Sequence, residues 1–282
     1  MRTLSLLFAS LSSIIIGCSR SEPPAAPSPA TSAAESIGPA QASGSGDVAT
    51  KDPGIAAVLA NPARSEADRG RDARDQPEAV LTLAGFGPGM TIADIFGGGG
   101  YYSEILSGVV GVEGKVVLIN NAAYDAYAKK GLEPRLADGR LPNVEYNIVP
   151  NDAMQLGDST LDGAMIVMSY HDLYVVDPEN GWPAIDAGQF LDQIATALKP
   201  GGVLLIVDHS AREGSGNSDA NSLHRIEESF ARADISSHGL ELISSSDVLR
   251  NPDDPRDKGA LDESIRGKTD RFVHVYRKNP DA

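Results

Sequence analysis

The chain has 282 residues, of which 41% are hydrophobic and 22% charged, enough apolar content for a folded core and too much for a disordered chain. Asp and Glu number 39 against 24 Lys and Arg, and this net charge of −15 gives no sign of the basic face that a nucleic-acid partner requires. Because Cys18 is the single cysteine, disulfides, cysteine-based metal sites and cysteine nucleophiles are excluded from the rest of the chain.

The first eighteen residues have the pattern of an export signal. Arg2 supplies a positive charge, and the apolar run from Leu4 to Ile16 is too short to span a bilayer permanently. The ending from Ile15 to Cys18 resembles a bacterial lipobox, in which signal peptidase II cleaves before a cysteine that carries a diacylglycerol. We therefore predict a signal peptide over 1–17, and a protein held at the inner or outer membrane of the bacterial envelope, facing the periplasm, through its lipid anchor only. The alternative is an ordinary signal that contains a cysteine.

The residues after the predicted cleavage site are rich in Ala, Ser, Pro and Gly. Such a composition cannot bury a core and is typical of flexible linkers. We predict a lipidated Cys18 with a disordered tether over 18–51, followed by a single domain over 52–282.

Apolar segments of the globular part alternate between helical and strand patterns. Helical patterns cover 54–84, 101–110, 186–198 and 223–237. Short apolar runs after turn residues predict strands at 90–96, 115–120, 144–149, 163–170, 203–208, 240–245 and 272–277. This alternation is typical of an α/β fold, a mostly parallel sheet with helices on both faces. Ligands of such folds bind at the carboxyl ends of the strands, so functional residues are expected there.

A glycine run follows the first predicted strand, from Gly97 to Gly100, three residues after Asp94. A dinucleotide fingerprint needs a third glycine where this chain has Tyr102 or Ser103. A carboxylate at the base of the loop would repel a pyrophosphate but attract a cation, and S-adenosylmethionine is a cation. Glycines would let its methionyl part lie close to the backbone. The alternative is a glycine-rich turn without a ligand. The candidate cofactor contacts in this loop are Asp94, Gly97, Gly98 and Gly100.

Several short motifs run through the globular part in a fixed order. They are Arg64, Asp68, Arg71 and Asp72, the glycine loop with Tyr101 and Tyr102, and the segments 170–173, 198–202, 208–210, 223–226 and 265–272. In this order, over about residues 60–280, the chain resembles an uncharacterised bacterial group of class I S-adenosylmethionine-dependent methyltransferases. The resemblance implies a Rossmann-like class I methyltransferase fold, with a seven-stranded, mostly parallel sheet whose last strand is antiparallel.

Two positions that would contact S-adenosylmethionine differ from the residues usual in the family, and a third matches the position near its adenine. Phe96 stands where the family's loop usually has a glycine, and Asn120 stands where an Asp or Glu usually accepts from both ribose hydroxyls. An amide has one acceptor oxygen and no charge, so we expect weaker binding, with Asn121 and Asp125 near enough to help, and tightening on Asn120→Asp. Asp152 occupies the position that usually meets the adenine, unless it is a solvent-facing turn residue.

Acid–base candidates follow the fourth predicted strand, where the fold borders the transferred methyl group. Methyl transfer depends mainly on positioning and exclusion of water, and a base helps only where the acceptor must lose a proton. His171 is the candidate base and Asp172 its orienting partner, with a structural histidine as the alternative. Tyr170 either lines the donor pocket or packs in the core.

His209 and His224 are expected to face the same cleft as the candidate base. Asp172, Asp208 and His209 stand where metal-dependent methyltransferases carry Mg²⁺ ligands, but hard cations prefer oxygen, so we predict no metal. Trp182 either caps the cleft or packs under a loop. The sequence has no Gly-x-Ser-x-Gly elbow, Walker loop or His-Glu-x-x-His motif.

The export signal and the domain point to different compartments, since the predicted donor is a cytosolic metabolite. We favour an S-adenosylmethionine-dependent methyltransferase acting on a small-molecule acceptor. The alternative is a non-catalytic or repurposed binding module of the same fold, exported as a lipoprotein, with Phe96 and Asn120 as signs of drift. A misassigned start codon would leave the protein in the cytosol, but the Ala/Ser/Pro tether argues against it.

Overall fold

The computed structural model describes residues 54–280, so the predicted signal peptide, Cys18 and the tether lie outside the described residues. The strands are β1 (Thr91–Ile95), β2 (Lys115–Asn120), β3 (Val144–Ile148), β4 (Leu161–Val167), β5 (Leu198–His209), β6 (Leu240–Ser246) and β7 (Arg271–Lys278). They form one sheet in the order β3-β2-β1-β4-β5-β7-β6. Neighbouring strands are parallel, except that β7 is antiparallel to β5 and β6. The predicted fold class is confirmed.

Helices cover both faces of this sheet. In the part of the chain that the structure describes they are α1 (Gly54–Leu59), α2 (Glu66–Asp75), α3 (Pro77–Ala84), α4 (Tyr101–Val110), α5 (Ala122–Leu136), α6 (Ala187–Ala197), α7 (Ala220–Leu223) and α8 (Glu228–Ser237). Within residues 54–280, no helix combines the length and the apolar composition that crossing a bilayer requires.

Side chains that alternate along the strands separate two apolar cores. Ala93 and Ile95 of β1 face the core that contains Phe190 of α6, whereas Ile92 faces the core that contains Leu106 of α4. Because successive side chains of a strand point to opposite faces, both faces of a central strand are apolar and its polar residues concentrate at the ends.

Two predicted elements end differently from the sequence pattern. β4 stops at Val167, because Met168 has a φ of +55°, and a short 3₁₀ turn then covers His171–Tyr174. The helix predicted over 223–237 is broken after α7 by His224, whose φ is +52°. Both breaks lie at the carboxyl edge of the sheet, where they bring polar side chains together.

Candidate functional site

The glycine loop leaves the carboxyl end of β1 and leads into α4. Asp94 lies beneath it, 2% exposed, and accepts a hydrogen bond from the Ser103 hydroxyl at 2.6 Å. A Cβ at Gly97 would stand 2.5 Å both from Asp94 Oδ2 and from the side chain of Leu118, so this close approach requires glycine. Burial raises the pKa of Asp94 to about 6, although hydrogen bonds from Ser103 oppose the shift.

The other glycines of the loop differ in what surrounds them. A Cβ at Gly98 or Gly99 would meet no atom within 4 Å, so both have open space on the side where a side chain would stand. A Cβ at Gly100 would stand 3.1 Å from the Arg135 side chain. Of the predicted cofactor contacts in the loop, Gly98 is therefore open to a ligand, and Gly97 and Gly100 are closed by the protein itself.

Asn120 holds the loop rather than presenting a free amide. It is fully buried, its Oδ1 accepts from the Gly98 N–H at 3.0 Å, and its Nδ2 donates to the Gly98 carbonyl at 3.1 Å. A ribose would have to share these groups. The residues predicted to help are also engaged, since Asn121 caps α5 and Asp125 accepts from the Tyr146 hydroxyl at 2.6 Å.

Phe96 is at the centre of an aromatic group beside the loop, in which Phe96 and Phe190 are buried and the other rings partly buried. Its ring stacks on Tyr124 at 4.8 Å and lies 5.8 Å from Trp182 and 5.2 Å from Phe190. The indole of Trp182 also donates to the Asp172 carbonyl at 3.0 Å. These rings fill the space that a glycine at position 96 would leave open, and Phe96 adopts a φ of +52° to reach them.

The backbone at Phe96 allows a direct test of strain. Phe96→Ala and Phe96→Gly both remove the ring, but we expect the glycine variant to be more stable by about 1 kcal/mol, because a left-handed φ costs alanine more than glycine. Phe190 in α6 is the matched control, since helix propensity predicts the opposite order there. Urea denaturation measures both pairs. An alanine variant at 96 as stable as the glycine variant would contradict the strain.

A cleft of about 630 Å³ opens next to the aromatic group, between the ends of β2 and β3 and the segment 181–189. This volume is in the range of small-molecule sites. Asp152 is exposed and lines the cleft, together with Asn121 and Asn151. Of the two alternatives for Tyr170, donor pocket or core, its position favours the core, because it is fully buried and its hydroxyl donates to Asp234.

His171 is held by a buried carboxylate. Asp208 is 0% exposed and accepts the His171 backbone N–H at 2.7 Å, and its Oδ1 lies 2.8 Å from His171 Nδ1. The other ring nitrogen, Nε2, lies 3.3 Å from Asp172 Oδ1. Burial acts to lower the pKa of His171, but the carboxylates of Asp208 and Asp172 outweigh it and raise that pKa to about 9. Such a ring already carries its proton at neutral pH, which argues against the predicted role as general base.

The structure brings the other two predicted histidines to the same place. The His209 ring lies 6.0 Å from that of His171 and its Nδ1 is 2.7 Å from the Thr269 hydroxyl. Burial lowers the pKa of His209 well below its usual range. The His224 ring lies 5.4 Å from that of His171, and its Nδ1 is 3.8 Å from Asp172 Oδ1.

Known proteins resemble parts of this chain. No family model matches it. The ubiquinone/menaquinone biosynthesis C-methyltransferase UbiE of Enterobacter sp. is 32% identical over 131 residues, which is 46% of this chain and 47% of that protein. The Klebsiella pneumoniae protein of the same name is 30% identical over the same shares. The chain thus spans about half the length of the curated relatives it matches.

Solved structures match most of the chain at low identity. A SAM-dependent methyltransferase from Aquifex aeolicus superposes with a TM-score of 0.53 and 22% identity, over 75% of this chain and 95% of that one. The [4+2]-cyclase SpnF gives 0.51 and 15%, over 78% and 84%. Identities this low establish architecture and not reaction. Together with the strand order, they give this chain the Rossmann-like fold of the class I S-adenosylmethionine-dependent methyltransferases.

Proposed function

We propose that this protein is an S-adenosylmethionine-dependent methyltransferase that acts on a small-molecule acceptor. The observation that carries this is the open space at the Cβ positions of Gly98 and Gly99, in the loop over the buried Asp94, together with the cleft of about 630 Å³. Both lie at the carboxyl edge of a parallel sheet, the edge at which such folds bind ligands. The matched part of the curated methyltransferases supports the same reaction class.

The residues at the site fit S-adenosylmethionine, which has a cationic methionyl part and an aromatic adenine. Gly98 and Gly99 leave room for the methionyl part, Asp94 supplies negative charge beneath it, and Asp152 stands in the cleft that would take the adenine. S-adenosylmethionine, when bound, supplies an electrophilic methyl group. The chain's own task is to hold donor and acceptor in line and to exclude water, for which the aromatic group around Phe96 is suited.

Gly99→Val tests the donor site, because its new side chain would enter open space at a position without left-handed strain. We expect at least tenfold weaker binding of S-adenosylmethionine and S-adenosylhomocysteine, measured by isothermal titration of the full chain. Gly87→Val is the control, since Gly87 is equally unobstructed but lies before β1. Failure of the wild type to bind either ligand would overturn the proposal in favour of a repurposed binding module.

We also propose that the protein is anchored in the bacterial envelope through a lipid on Cys18, on the basis of the lipobox-like segment that ends there. Cys18→Ala should then abolish labelling by a palmitate analogue and release the protein from the membrane fraction. Cys18→Ser, which also lacks the thiol, should behave in the same way. A variant that labels and sediments like the wild type would contradict the anchor.

A further inference from the structure

We propose that His171, Asp172 and His224 form a binding site for a divalent transition-metal ion of the zinc type. One ligand atom from each residue lies within 4.8 Å of the other two. Two imidazoles and one carboxylate are a ligand set that suits Zn²⁺ and its neighbours in the first transition row, whereas Mg²⁺ prefers oxygen alone. The prediction of no metal rested on a different set, in which Asp208 and His209 stood with Asp172.

Asp208 acts behind this site rather than in it. Its oxygens accept the backbone N–H groups of His171 and His209, both at 2.7 Å, and its Oδ1 also lies 2.8 Å from His171 Nδ1. An ionised carboxylate only accepts, so His171 Nδ1 carries a hydrogen and Nε2 is the atom that faces Asp172. A metal ion bound at Nε2 would displace the proton of that nitrogen to solvent. A carboxylate that orients the far nitrogen of a ligating imidazole is the usual second partner of a metal site.

Asp172 has one oxygen left for a metal. Its Oδ2 accepts from the Tyr124 hydroxyl at 2.5 Å, and its Oδ1 lies 3.3 Å from His171 Nε2 and 3.8 Å from His224 Nδ1. These two separations are long for hydrogen bonds. Ligands about 2.1 Å from a zinc ion lie roughly 3.0–3.5 Å from one another. The two separations from Asp172 are near this range, and the three ligand atoms, all within 4.8 Å, would have to draw together by up to about 1 Å to close around an ion.

His224 completes the set from a fixed and partly open position. Its side chain is 38% exposed, which leaves room for water or an acceptor oxygen at the ion. The next residue, Arg225, is fully buried and forms a bidentate pair with Asp254 at 2.8 and 3.1 Å, so the backbone that carries His224 is anchored. The ion would therefore lie beside a partly exposed imidazole and not deep inside the core.

The competing explanation is an ion-pair network with a proton between His171 and Asp172. Metal-free full-length protein, titrated with ZnCl₂ and separately with MgCl₂, distinguishes the two by calorimetry. We expect one zinc ion per chain and no comparable magnesium binding. Cobalt substitution should add visible absorption bands from imidazole coordination. If the wild type binds no zinc, these residues form only an ion-pair network and the proposal of a metal site is overturned.

His224→Asn is the decisive variant, because asparagine tolerates the left-handed backbone and the fold should persist. We expect at least tenfold weaker zinc binding and loss of the cobalt bands, without a change in unfolding midpoint. His238→Asn is the matched control, since this ring pairs with Asp192 at 2.7 Å outside the cluster. Zinc affinity that stays the same in both variants would place the ion elsewhere and overturn the proposal. Binding of S-adenosylmethionine by the same samples is a separate readout.

Discussion

Asp94→Asn is expected to flatten the pH dependence of stability between about pH 4 and 6. Burial raises the pKa of Asp94 from 3.8 to about 6 in the folded protein, whereas the unfolded chain keeps the ordinary value. As pH rises through this window, the unfolded state gives up its proton first, so the free energy of unfolding falls. The loss is about 1.4 kcal/mol per pKa unit, or about 3 kcal/mol in all. About 2 kcal/mol of this is lost between pH 4 and 6, and the loss is complete roughly one pH unit above the folded-state pKa.

Urea denaturation at pH 4, 5, 6 and 7 measures this effect. The asparagine variant should be less sensitive to pH than the wild type by about 2 kcal/mol between pH 4 and 7, because the titrating group is gone. Asp152→Asn is the control, since that carboxylate is exposed in the cleft and should leave the slope unchanged. Equal slopes in the wild type and Asp94→Asn would mean that Asp94 is not a buried acid with a raised pKa.

Asp94→Asn should also weaken the binding of S-adenosylmethionine. A cationic ligand above an ionised Asp94 gains about 2 kcal/mol at the effective dielectric of a protein site, which corresponds to about 30-fold in affinity. Wild-type affinity for S-adenosylmethionine should therefore increase as pH rises through about 6, and Asp94→Asn should bind weakly at every pH. Isothermal titration between pH 5 and 8 tests this. If the affinity of the wild type does not change with pH, the Asp94 carboxylate does not contribute to binding of the ligand.

Local patterns were sufficient to predict the sheet but not every helix. Runs bounded by turn residues identify the seven strands. The central strands β1, β4 and β5 are mostly apolar because both of their faces are buried, whereas the edge strands β3 and β6 carry polar and exposed residues. α5 has no apolar stripe, since Ala128 and Leu132 are its only buried side chains, and the sequence pattern therefore does not predict it. The positive φ of Met168, which ends β4 early, depends on tertiary packing and has no local signal.

For the candidate site, the sequence indicated which residues lie at the ends of strands but not which side chains contact them. The expectation that His171, His209 and His224 lie together follows from the rule that parallel strands end at one edge, and their rings do come within 6.0 Å of His171. The roles of Tyr124 and Asp208 depend on contacts between residues 48 and 37 positions apart, which single-sequence patterns do not reveal.

Asn120 illustrates why a motif position does not define a contact. Comparison with the family's usual acid suggests that Asn120→Asp would tighten donor binding, but the structure gives its amide a different task. Both of its ends are bonded to Gly98, one accepting the N–H and the other donating to the carbonyl. An aspartate keeps the first bond and turns the second into an oxygen facing an oxygen at about the same 3.1 Å.

We therefore expect Asn120→Asp to destabilise the protein by about 2–3 kcal/mol, because a fully buried charge would stand against an unsatisfied carbonyl. The loosened loop should also bind S-adenosylmethionine more weakly. Urea denaturation and isothermal titration measure the two effects. Asn61→Asp is the control, since Asn61 is exposed and its oxygen only needs to accept from Ala63. If Asn120→Asp is as stable as the wild type and binds the donor more tightly, the loop must rearrange to release this side chain to the ribose, and the two-point bond to Gly98 is not what fixes the loop.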